Sequence, residues 1–142
     1  MNKTLLILAA VTVSRCAPCP AQVVASTLFS ECRGESLSGQ RAVASVIWNR
    51  SKAQGKSPEA VCLARKQFSC HNGGYAKASP RNPAERAILA RFEAWEREMQ
   101  AGTFEPSTGA DHYYNPAKAA PSWAKELKNV ENIGRHTFGN CR

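Results

Sequence analysis

At 142 residues the chain has room for one domain. Its 43% hydrophobic and 21% charged residues exclude a disordered or low-complexity polymer, and there is no internal repeat. The formal charge of +8 favours an anionic partner, whether nucleic acid, a membrane face or a wall polymer.

Lys3, the apolar run 5–13 (LLILAAVTV) and the Cys/Pro/Ala-rich patch 16–21 read in order as a secretory signal peptide. The run is too short to cross a hydrocarbon core roughly 30 Å thick. The expected organisation is a signal over 1–21, with an uncleaved anchor as its alternative, and one exported domain over 22–142. Export makes nucleic acid the least suitable partner. No stable membrane insertion is expected after processing, and a monomer in the periplasm, outside the cell or in its wall is the natural form. Removing Cys16 and Cys19 with the signal leaves Cys32, Cys62, Cys70 and Cys141. An even number in a small exported domain predicts disulfides, and spacing does not choose their pairing.

Residues 21–30 (AQVVASTLFS) predict a helix running into Glu31, with Gly34 as its stop. Ser36 or Ser38 caps a second helix, in which Val43, Val46, Ile47 and Arg50 recur at helical spacing. Ser57-Pro58-Glu59 starts a short helix over 58–64. Residues 67–80 are turn-rich and aperiodic, and read as a surface loop carrying site residues. Asn82-Pro83-Ala84-Glu85 is a capping box, and its helix aligns Ala84, Ile88, Phe92, Trp95 and Met99 before Gly102 ends it. Residues 110–116 predict a strand or ordered loop, 121–127 a helical segment and 130–138 a small hairpin. The expected class is α+β and mostly helical.

Glu31 joins an apolar helix to a glycine turn, where a carboxyl can meet a cleft while rooted beside core residues. A glycosidase needs such a proton donor, with its pKa raised by partial desolvation. Glu35 is a second candidate within the same turn. Gln67, His112, Tyr113, Tyr114 and Asn115 carry amide, imidazole and phenol groups that can hydrogen-bond a polar substrate, and they are candidate substrate-binding residues. Trp48 and Trp95 read as core, and Trp123 as either core or site.

The run 30–50 (SECRGESLSGQRAVASVIWNR) closely resembles the SleB/CwlJ family of cell-wall hydrolases, which includes the spore cortex-lytic enzymes. The likeness continues through 61–62, 67–69, 109–116 (GADHYYNP), 121–124 and 133–138 (IGRHTF), in the expected order. It implies a small lysozyme-like domain that cuts peptidoglycan between N-acetylmuramic acid and N-acetylglucosamine, as a lytic transglycosylase or muramidase. It places the family's catalytic glutamate on Glu31 and leaves Glu35 as its competitor. It implies no cofactor. Cys32 stands where the family has alanine or serine, and a crosslink from it to Cys70 would fix the Glu31 turn against the Gln67 loop.

Two other readings are open. A zinc amidase would draw on His71, Asp111, His112 and His136, although no close ligand pair such as HExxH occurs. A non-catalytic wall-binding module would use the same cleft and charge without cutting.

Overall fold

Helix α1 (Val23–Cys32) is buried along nearly its whole length, because its sequence is apolar or small on every face. The computed structural model describes residues 22–65 and 67–141; the expected signal over 1–21 lies outside them. Around α1 pack α2 (Leu37–Gln54), the short α3 (Pro58–Leu63) and α4 (Pro83–Ala101). Three strands, β1 (His112–Tyr114), β2 (Lys128–Ile133) and β3 (His136–Asn140), form an antiparallel sheet in the order β1-β3-β2. The fold is α+β, about half helical with one small sheet, in the class that the periodicities predict.

Local chemistry sets the boundaries. Ser36, rather than Ser38, caps α2 by accepting from the Gly39 N–H. Asn82 caps α4 through the Glu85 N–H at 2.9 Å, and Glu85 Oε2 reaches back to the Arg81 N–H at 2.7 Å. Gly102 closes α4 at φ 75°, a left-handed conformation that glycine adopts without steric cost. Phe92, Trp95 and Met99 form the buried face of α4. Ile88 is half-buried, whereas the predicted first member of that face, Ala84, is exposed.

Gly34 does not end α1 by turning left-handed; among the described residues it is absent from the positive-φ glycines. The chain turns instead through Glu35 N–H to Cys32 O at 3.0 Å. Buried Gln40 stitches the turn, its Nε2 donating to the carbonyls of Arg33 and Glu35. The helical segment predicted over 121–127 is a 3-10 helix, Ser122–Glu126.

The N-terminus of α1 has no side-chain cap of its own. Its free N–H groups are met by Glu96 of α4, which accepts from Val24 at 3.3 Å and Ala25 at 3.0 Å while only 3% exposed. At the opposite end of α1 stands Glu31. The two carboxylates thus mark the ends of the central helix, one enclosed and one at a cavity.

The expected disulfides are not formed: Cys32, Cys62, Cys70 and Cys141 are all free. Cys32 Sγ donates to Leu28 O at 3.2 Å, one turn back along its own helix. Burial pushes the Cys32 thiol up and the Cys62 thiol to about 12, which disfavours the reactive thiolate at both.

Candidate active site

The sheet brings Tyr113 to the end of α1. Its register sets Tyr113 opposite Phe138, which is fully buried, and the two rings stack at 5.6 Å. From that base the Tyr113 hydroxyl donates to Glu31 Oε2 at 3.2 Å. Desolvation raises the Glu31 pKa above the ordinary carboxylate value, and the Tyr113 hydrogen bond opposes part of the rise. Burial and the neighbouring Glu31 charge keep the Tyr113 phenol well above its usual pKa, so it remains a donor.

Glu31 and Tyr113 line a cavity of about 490 Å³. One wall is the segment after α3, which supplies Gln67, Phe68, Ser69 and Asn72. Two buried hydroxyls of α1 hold the loop that follows. Thr27 Oγ1 lies 2.7 Å from His71 Nε2, and Ser26 Oγ accepts from the Ala78 N–H at 3.0 Å. The Ala76 N–H donates to His71 Nδ1 at 3.2 Å, which fixes that nitrogen as an acceptor and the ring as neutral. Burial pushes the His71 pKa down, in keeping with that state.

Arg50 crosses the base of the cavity. Its Nε donates to Asp111 O at 2.6 Å and its Nη1 to Gln67 Oε1 at 3.0 Å, which locks the loop wall to the strand wall. His112 is oriented by Asp111, whose Oδ1 lies 2.8 Å from His112 Nδ1 and also accepts from the Cys141 N–H. Trp123 completes the rim, with His112 edge-on at 5.0 Å and Tyr114 edge-on at 5.6 Å.

Glu35 is placed elsewhere. Arg135 grips its Oε1 through Nε at 3.0 Å and Nη2 at 2.7 Å, and the Glu35 side chain is only 7% exposed. That pair ties the turn after α1 to the β2–β3 hairpin, where Gly134 has φ 60°. A Cβ at Gly134 would stand 3.2 Å from Glu35 Oε2, closer than an ordinary van der Waals contact. Glu35 does not line the Glu31 cavity.

Of the residues predicted for substrate binding, Gln67, His112 and Tyr113 reach the Glu31 cavity. Tyr114 does not line it but meets the Trp123 ring, and Asn115 lines a different cavity. Sequence reasoning missed Arg50, Phe68, Ser69 and Asn72 as site residues. Arg50 carried a visible signal, a cation on an otherwise apolar helical stripe. The residues of the zinc reading do not converge: His71 sits on Thr27, His112 on Asp111 and His136 beside Glu35. Among the described residues no group of three or more His, Cys, Asp or Glu is arranged to hold a metal ion.

A family model described as Cell Wall Hydrolase matches residues 34–139. That interval contains Glu35 and begins just after Glu31. The chain is 29% identical over 119 residues to the spore cortex-lytic enzyme of Bacillus cereus, covering 82% of this chain and 42% of the relative. It is 31% identical over 121 residues to that of Halalkalibacterium halodurans, covering 84% and 34%. The chain thus spans less than half the length of these relatives. Among solved structures it resembles the catalytic domain of the germination-specific lytic transglycosylase SleB from Bacillus anthracis. That match has a TM-score of 0.61 at 25% identity and covers 83% of this chain and 91% of the other. The catalytic domain of Bacillus cereus SleB matches with a TM-score of 0.59 at 27% identity, covering 86% and 94%.

Proposed function

The chain belongs to the cell wall hydrolase family, and from that premise we propose that it cleaves peptidoglycan glycan strands outside the cytoplasm, as a lytic transglycosylase acting through Glu31. One observation carries the reading: Glu31 is the only carboxylate among the described residues lining its cavity. Glycosidases that work through two carboxylates need a partner at a defined separation across the bond. Here Glu35 is held by Arg135, and Glu31 works alone.

A lone carboxyl suffices if it acts twice. Protonated Glu31 donates to the oxygen linking N-acetylmuramic acid to N-acetylglucosamine, and the C1–O bond breaks. The positive character at the muramic C1 is met by that sugar's own acetamido oxygen. Ionised Glu31 then takes the proton of the muramic C6 hydroxyl, whose oxygen closes on C1 to give a 1,6-anhydro product. The raised pKa serves the first step and proximity the second. Gln67, Ser69 and Asn72 offer hydrogen bonds to the sugars, and Trp123 offers a flat apolar face.

Purified sacculi incubated with the protein should be solubilised equally well with and without a strong chelator. Loss of activity on chelation would favour the zinc amidase instead.

Tyr113→Phe removes the hydroxyl that stabilises ionised Glu31. The Glu31 pKa should therefore rise further, and the alkaline limb of the rate profile, where the acid loses its proton, should move to higher pH. A pH–rate profile of the variant measures this directly; an unmoved or acid-shifted limb would contradict the Tyr113–Glu31 coupling.

A further inference from the structure

A second cavity, of about 590 Å³, is lined by Asn115, Lys118, Asn132, Arg135 and His136, none of which lines the first. Tyr113 links them: its hydroxyl reaches Glu31, and its ring meets His136, which lines the second cavity, at 5.4 Å. The loop after β1 and the β2–β3 hairpin form its walls. We propose that this cavity binds a carboxylate of the peptide stem on a strand held at Glu31, an inference that rests on the glycan-cleaving reading above.

The polar groups of the cavity are biased toward donation. Asn115 Oδ1 already accepts from the Ala117 N–H at 3.0 Å, and Asn132 Oδ1 accepts from Thr137 Oγ1 at 2.8 Å. Each amide oxygen thus already has one donor, while neither Nδ2 group donates to a described residue. Arg135 is neutralised by Glu35, whereas Lys118 is exposed and makes no ion pair with the described residues. His136 Nδ1 is buried without a hydrogen-bond partner among them, 3.8 Å from Glu35 Oε1. A sugar hydroxyl needs acceptors as well as donors, so this lining suits an anion better than another saccharide. In a peptidoglycan strand the lactyl group of muramic acid is amide-linked to the stem, and the carboxylates are carried by the stem peptide. One tyrosine away from the cutting carboxyl, the cavity is placed to meet them.

The test compares kinetics on stem-bearing glycan strands with those on strands stripped of stems by an amidase. Lys118→Glu should raise KM on stem-bearing strands roughly tenfold, and Lys118→Gln roughly threefold, with kcat little changed. Stripped strands should show neither effect. Lys56→Glu, an equal charge change at another exposed lysine, should leave both substrates unaffected. Equal losses on both substrates, no loss on either, or an equal effect from Lys56→Glu would each overturn the stem site while leaving glycan cleavage standing. If the wild-type protein cuts neither substrate, the glycan-cleaving reading fails and this inference with it.

Discussion

Glu31→Gln should lower turnover of peptidoglycan by roughly 10³-fold or more, while Glu35→Gln should retain most of it. The amide keeps the shape of Glu31 and can still accept from the Tyr113 hydroxyl, but it has no proton to give. Glu35→Gln loses the charge that grips Arg135 and costs about 1 kcal/mol of stability, limited because Arg135 is 65% exposed. Stability distinguishes the two variants as well. The raised pKa of Glu31 means that its ionised form is disfavoured by folding, so the wild-type protein carries a penalty at pH values above that folded pKa. The penalty fades as pH falls toward the unfolded value of 4.5. Glu31→Gln should therefore melt higher than wild type near neutrality, with the advantage vanishing in acid. Thermal melts beside activity assays read both effects. A Glu31→Gln protein that is active, or a folded Glu35→Gln protein that is dead, would reverse the assignment.

The largest loss of stability should come from Glu96→Ala, at about 2–4 kcal/mol. Two N–H groups at the start of a fully packed helix would be left without an acceptor, in a place that water cannot easily reach. Glu96→Gln retains one acceptor oxygen and should cost about half as much. Desolvation raises the Glu96 pKa, and the two backbone N–H bonds oppose the rise. The wild-type carboxyl is thus protonated more readily folded than unfolded, and its linked stability increases as pH falls through the raised value toward 4.5. The deficit of Glu96→Gln relative to wild type should widen over that same interval. Denaturant titrations at several pH values measure it, and a Glu96→Ala change near zero would show that α1 needs no external cap.

The helices were legible because their signals are local. Asn82 with Glu85, Pro58, Gly102 and the stripe from Phe92 to Met99 each act within a turn or two of chain. The roles of Glu31 and Glu35 were not separable that way, since the two share one turn. What distinguishes them is distant: Tyr113 on β1 for one, Arg135 on the hairpin for the other. Glu96 was invisible for the same reason, because its value depends on which helix end packs beside it. Arg50 could be seen but not interpreted until Asp111 and Gln67 were placed around it. The disulfide expectation followed from compartment and an even count, neither of which reports where a thiol points. Cys32 Sγ turns into its own helix.

The most direct test of the central claim is mass spectrometry of the fragments released from purified peptidoglycan. Cleavage by Glu31 as acid and then base predicts muropeptides ending in 1,6-anhydro-N-acetylmuramic acid, absent with Glu31→Gln. Free peptides released without any cut in the glycan would contradict it.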